Sequence, residues 1–286
     1  MPWIIEGRRI EISVNLRLEG LVWYNPPAPL QKRRENPPCL WHESIGKSMV
    51  RGLRADYRGE NDVILQFPPK GSAGRPGLVK AGREIERESF RIIDEEMGEH
   101  RFPPDQWPIV RRVIHTTGDF DYSQRIRFTP DAVFRAIEAL RGGSCIYADT
   151  RMIRAGLSPW RLEWHGNQVI CPAESETSRQ LAEKAGVTRT LAAFRGCAAD
   201  MDGSVVAIGN APTALLEVIR LIEEDGVRPA LVIGVPVGFV QAEQSKAALL
   251  DLTKQPSITV LGRKGGSSVA VAIIHALIEL ACPGKK

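Results

Sequence analysis

Three times in its second half the chain repeats one pattern: a short apolar run, a glycine-containing turn, and a helix-forming segment. The runs are "SVVAIG" (204–209), "ALVIGV" (230–235) and "SITVLG" (257–262). Each is apolar almost throughout rather than alternating, as in a strand covered on both faces. The segments that follow, "PTALLEVIRLIEEDG", "AEQSKAALLDLT" and "SSVAVAIIHALIEL", carry apolar residues at helical spacing. Strand, crossover helix and next strand in this order predict a parallel sheet with right-handed connections. The fold class expected is therefore α/β, a three-layer Rossmann-like sheet with helices on both faces. "SCIYAD" (144–149) reads as a further buried strand ending in Asp149.

Upstream, "REIERESFRIIDEEM" places Ile85, Ser89, Ile92 and Met97 near one helical face, which is expected to be the buried one. "PDQWPIVRRVIHTT" puts Trp107, Val110 and Ile114 on one stripe, with Gly118 as a C-terminal stop. "TPDAVFRAIEALRGG" predicts a helix with Thr129 as N-cap, Pro130 at its first position and Gly142-Gly143 past its end. Residues 1–80 differ in character. "YNPPAPLQKRRENPPCL" and "FPPKGSAGRPGLVK" read as loop or linker, "IIEGRRIEISVNLRLEGLVW" as a hairpin, and "HESIGKSMVRGLRADYRG" as a short helix. An irregular N-terminal extension (1–80) on a core of 81–286 is expected.

Composition narrows the function classes. A 286-residue chain with 43% hydrophobic and 25% charged residues can supply a full core. No apolar run approaches the roughly 18–20 residues of a membrane span, and the N-terminus lacks the long apolar stretch of a signal peptide. A cytoplasmic protein is expected. The net charge of +4 comes from an excess of basic residues within 1–80, the remainder being near neutral. Without basic-aromatic interleaving or a recognition-helix pattern, nucleic acid is not an expected partner. Cys39, Cys145, Cys171, Cys197 and Cys282 are scattered, with no paired spacing and no histidine at zinc distance. Reduced thiols are expected, and no metal site.

In sheets of this kind ligands bind beyond the carboxyl ends of the strands. Those ends are "GNAPTA" (209–214), "GVPVGF" (234–239) and "GRKGGS" (262–267), each a turn into a helix N-terminus. Free amides and the positive end of the helix dipole make each turn a potential anion seat, although glycine there also serves simply to form the turn. Arg263 and Lys264 add positive charge at the third. Neither GxxxxGK[ST] nor GxGxxG is present, so a nucleotide-dependent enzyme is the weaker reading.

"VIHTTGDF" (113–120) sets His115 near a helix C-terminus, which favours a cation. Two readings stand side by side: a general acid, oriented by Asp119 or Asp121, or a histidine that caps the helix. Ser89 reads as a hydroxyl bonded back to the preceding helical turn, or as a site residue. Arg189, in "GVTRTLAAF", reads as a surface arginine or as a ligand for an acidic group. His42, His100, His165 and His275 show no partner pattern and read as structural or exposed.

These segments together carry a resemblance. "ERESFRII", "RVIHTTGDFDY", "GSVVAIGNAPTALLEVI", "GVPVGFVQAEQSKAAL" and "ITVLGRKGGSSVAVAIIHAL", in order over about residues 82–280, resemble the precorrin-8X methylmutases of cobalamin biosynthesis. The pair "IGNAPTAL" and "GVPVGFV…SK" is its most specific part. The resemblance implies a homodimeric α/β isomerase with no redox cofactor. It would move a methyl group from C-11 to C-12 of precorrin-8X or cobalt-precorrin-8, giving hydrogenobyrinate or cobyrinate. It also implies His115 as the catalytic residue and Ser89 and Arg189 as active-site residues. Substrate contacts are expected at Thr116, Gly209, Asn210, Gly238, Arg263, Gly265 and Gly266. A tetrapyrrole carrier without catalysis, on the same fold, is the alternative. Residues 1–80 have no counterpart in that pattern.

Overall fold

The structure, a computed structural model, describes residues 76–284. The hairpin and short helix expected nearer the N-terminus lie outside the described residues. In chain order the elements begin with α1 (Pro76–Met97), α2 (Trp107–Thr117), α3 (Tyr122–Arg125) and β1 (Ile126–Phe128). There follow α4 (Ala132–Arg141), β2 (Ile146–Ala148), α5 (Arg151–Gly156), α6 (Pro159–Leu162) and β3 (Val169–Ile170). The chain then runs through α7 (Glu176–Ala185), α8 (Arg189–Gly196), β4 (Val205–Ile208), α9 (Pro212–Glu223), β5 (Leu231–Gly234), α10 (Ala242–Asp251), β6 (Ser257–Val260) and α11 (Ser267–Ala281).

The six strands form one sheet in the order β1-β6-β5-β4-β2-β3. Every pair is parallel except β1 with β6, where Ile126 stands opposite Val260 and Phe128 opposite Ile258. The expected parallel sheet is therefore mixed at one edge. This has a consequence for the site. β1 starts where β6 ends, so the turn before β1 arrives at the carboxyl edge. β4, β5 and β6 step outward in sequence, whereas β2 and β3 step the other way. The order thus reverses between β2 and β4, the crevice where such sheets commonly bind ligands.

Helices cover both faces. α2, α4 and α5 pack on α11, and α8, α9 and α10 form the opposite layer. Each residue of β4 and β6 is buried, as are Leu231, Val232 and Ile233 of β5. This accounts for their largely apolar sequences, since each fully buried Val, Leu or Ile contributes about 1.5–3 kcal/mol. One charged joint crosses the helical layer. Arg112, 7% exposed, donates to Glu86 at 3.0 Å and Glu279 at 2.6 Å, tying α2 to α1 and α11.

Four expectations need correction. The segment read as linker up to residue 80 is already helical from Pro76, a residue preset for a first helical position. Thr129 does not cap α4; the N-cap position is Asp131. The Thr129 hydroxyl instead accepts from the Ser257 amide at 2.6 Å and donates to the Gln255 carbonyl at 3.1 Å, fastening the end of β1 to the start of β6. Ile85 and Ile92 are not on the covered face of α1, being 68% and 41% exposed, and Ile93 with the half-buried Phe90 faces the core instead. Cys171, Cys197 and Cys282 are free, but Cys145 is disulfide-bonded, against the expectation of reduced thiols throughout. No described helix is long and apolar enough to cross a membrane.

Candidate active site

The carboxyl edge gathers the turns after β2, β4, β5 and β6 and the turn between α2 and α3. Lys264, from the turn after β6, crosses to that last turn. Its ammonium sits against the Asp119 carboxylate and 2.9 Å from Asp121 Oδ2. Arg125 also pairs with Asp121, and Asp119 Oδ1 accepts from the Asp121 amide at 2.9 Å. Hydrogen bonds from these cations hold both carboxyls below the usual carboxylate range. Asp119 and Asp121 are thus committed to Lys264 and Arg125 rather than to His115, which the general-acid reading had one of them orient.

The Lys264 carbonyl is fixed from below. Lys246 on α10 is fully buried and donates to that carbonyl at 2.8 Å. Burial pulls its ammonium down to about 8. The strap of Gly265 and Gly266 then passes so close to the end of β5 that a side chain at 265 would meet the Val235 carbonyl at 2.2 Å. The Gly266 amide donates to that same carbonyl at 2.8 Å. Gly238 donates to the Arg263 carbonyl at 3.2 Å, joining the turns after β5 and β6.

His115 occupies the last turn of α2 and is exposed. The capping reading is not what the structure shows. Gly118, in the left-handed conformation, closes the helix by donating to the Ile114 carbonyl at 2.7 Å. Among the described residues His115 makes no hydrogen bond. Its ring is set edge-on against Phe90, centroids 5.2 Å apart. Phe90 is itself held under the guanidinium groups of Arg111 and Arg112, at 4.6 Å and 5.3 Å. It also lines a groove of about 540 Å³ with Trp160, Trp164 and Arg87. Phe90 was not singled out in the sequence, although it stands next to Ser89 in "ERESF".

The other expected site residues fall into two groups. Ser89 adjoins Phe90 on α1, and its hydroxyl donates to the Ile85 carbonyl at 2.8 Å, the back-bonded arrangement read from sequence. Thr116 is exposed beside His115. Arg189 opens α8 in the opposite helical layer. Thr188 before it meets Thr213 at 3.0 Å, which brings Arg189 to the carboxyl edge beside the start of α9. Among the described residues no hydrogen bond or ion pair joins Arg189 to His115 or Ser89.

The turn after β4 is not an open anion seat. Asp149, 2% exposed at the end of β2, accepts from the amides of Gly209 at 3.0 Å and of Asn210 and Ala211 at 2.8 Å each. Burial raises its carboxyl while the three amides pull the other way. The chain's own carboxylate occupies the three amides that an anionic ligand would need. Gly209 packs tightly here, since a Cβ would lie 2.9 Å from Ser267 Cα. The Asn210 residue remains exposed. No cluster of three or more His, Cys, Asp or Glu among the described residues is arranged to hold a metal ion.

Fold and site together define a class: a doubly wound α/β protein whose candidate chemistry lies on turns at the carboxyl edge, next to an unbonded histidine. Comparison with known proteins narrows it. A family model described as precorrin-8X methylmutase matches residues 84–280, and the chain belongs to that family. The cobalt-precorrin-8 methylmutase of Leptospira interrogans is 44% identical over 210 residues, covering 71% of this chain and 96% of that protein. The precorrin-8X methylmutase of Pseudomonas aeruginosa is 38% identical over 200 residues, covering 70% and 96%. A crystal structure of precorrin-8X methylmutase from Thermus thermophilus superposes with a TM-score of 0.67 at 45% identity, covering 71% of this chain and 97% of that one.

Proposed function

We propose that this methylmutase is the cobalamin-pathway isomerase that moves the C-11 methyl group of precorrin-8X or cobalt-precorrin-8 to C-12, yielding hydrogenobyrinate or cobyrinate. His115 is the general acid. The reaction is an isomerisation and calls for no nucleophile or redox partner. Protonation of the conjugated ring by the imidazolium draws electron density away from C-11. The bond from C-11 to the methyl carbon breaks as the bond to C-12 forms, and the proton returns to the imidazole. Such general-acid help is worth about 10²–10⁴-fold. Rigid holding of the macrocycle supplies the rest.

The observation that carries this reading is the state of His115. It is exposed, fixed in place by Phe90, and free of hydrogen bonds among the described residues, so its ring nitrogens are available to a ligand. Thr116 follows it in the chain, Ser89 adjoins the Phe90 against which its ring packs, and the exposed Arg189, Asn210 and Arg263 at the same edge offer partners to the substrate's carboxylates. Gly238, Gly265 and Gly266 shape the turns after β5 and β6 at that edge. The family match begins at residue 84, and the catalytic role is assigned to the part of the chain from there on. The working form is a cytoplasmic homodimer.

Turnover tests the function. The purified protein, given the C-11-methylated precursor, is expected to shift the visible spectrum to that of the product chromophore. A spectral change from binding alone, with the precursor recovered unchanged, would make the protein a tetrapyrrole carrier instead.

A further inference from the structure

The turn after β5 exposes a cluster of large apolar side chains: Val237 at 45%, Phe239 at 82% and Val240 at 79%. Its backbone is nonetheless anchored. The Val235 amide donates to the Ile208 carbonyl at 2.8 Å, and Gly238 donates to the Arg263 carbonyl. Phe239 is therefore held outward by a tied turn. Over its ring stands the Arg263 guanidinium, 5.0 Å from the centroid. Arg263 is exposed and pairs with no carboxylate among the described residues. Its neighbour Lys264 is in the opposite state, fully engaged by Asp119 and Asp121. One corner of the edge thus carries one cation that ties turns together and a second that pairs with no carboxylate among the described residues.

We propose that Phe239 completes a platform for the substrate macrocycle, its ring stacking on the conjugated system beside Arg263, the carboxylate partner assigned above. The inference rests on the methylmutase reading above. An extended flat ring bearing carboxylates matches both halves of the feature: an apolar face for the phenyl ring and an anion for a guanidinium already oriented by cation–π contact. Position agrees. Arg263 adjoins Lys264, which touches the turn directly after His115. A macrocycle seated on Phe239 lies along the edge that carries the proton donor. Phe239 and Arg263 are binding residues that set substrate orientation, and His115 supplies the proton.

The test uses the full-length protein, with hydrogenobyrinate titrated by visible absorption and turnover assayed on the precursor. Phe239→Ala is expected to weaken product binding about 5- to 100-fold, the worth of one stacked ring, and to raise KM by a similar factor with a smaller effect on kcat. Phe239→Trp restores binding. Arg263→Met weakens binding and flattens its salt dependence, and Arg263→Lys rescues it only in part, because a lysine does not stack as a planar guanidinium does. Unchanged affinity and KM in Phe239→Ala would overturn the proposal. So would a loss of affinity accompanied by conversion from dimer to monomer in sedimentation, which would assign this surface to a second copy of the chain. Failure of the wild-type protein to bind or convert either corrinoid would instead sink the methylmutase reading, so the two failures are distinguishable.

Discussion

Asp149 accepts hydrogen bonds from three successive amides sixty and more residues downstream, while almost wholly buried itself. Removing its carboxylate leaves the buried Gly209 amide without a partner and frees the turn that leads into α9. Asp149→Ala is expected to lower stability by about 2–4 kcal/mol, seen as a shift of the urea midpoint without a change in slope. Asp149→Asn loses less, because one acceptor oxygen survives. At this scale the sequence was only partly legible. A strand-ending aspartate and a glycine turn were both readable, but not that one satisfies the other, since nothing local links them. Phe90 escaped for the same reason: its contact with His115 exists only once α1 folds back on α2. Ser89 was readable because its partner, the Ile85 carbonyl, lies one turn away on the same helix.

Among the elements, α11 joins most of one helical layer, packing on α2, α4, α5 and α6. It is buried almost along its whole length and carries His275 among apolar residues. His275 Nε2 accepts from the Ser158 amide at 3.0 Å, and burial, with Arg161 and Arg112 nearby, pushes its pKa down to about 3. The folded value lies below the unfolded one. The unfolded chain therefore binds a proton that the folded chain refuses between about pH 6.5 and 3, and stability falls as pH drops through that window. The whole effect is on the order of 5 kcal/mol. His275→Gln keeps an acceptor and does not titrate. Denaturant titrations at pH 7 and pH 4 should show a smaller acid loss for that variant than for the wild type. An equal loss would mean His275 is not the sensitive group. Elements also mark where reading the sequence stopped. β2, β4, β5 and β6 were legible because strands buried on both faces are apolar throughout. β1, whose Arg127 breaks any apolar run, and β3, only two residues long, show no such pattern and exist through pairing with distant strands. α1 carries apolar residues on more than one stripe, and periodicity alone could not say which stripe α2 would cover.

For the whole molecule, the topology explains how one edge collects the candidate site. Parallel strands deliver their turns to the carboxyl end, and the reversed β1 brings the α2–α3 turn, with His115 before it, to the same place. His115 and Ser89 come from one helical layer and Arg189 from the other, so the substrate itself is the expected bridge between them. The proposed homodimer predicts a sedimentation mass of about twice 31.6 kDa, whereas a monomer at working concentration would contradict it. The most direct test of the chemistry is turnover by His115→Ala. If His115 is the proton donor, the variant should bind hydrogenobyrinate as the wild type does, yet convert the C-11-methylated precursor about 10²–10⁴-fold more slowly. Conversion at the wild-type rate would contradict that role.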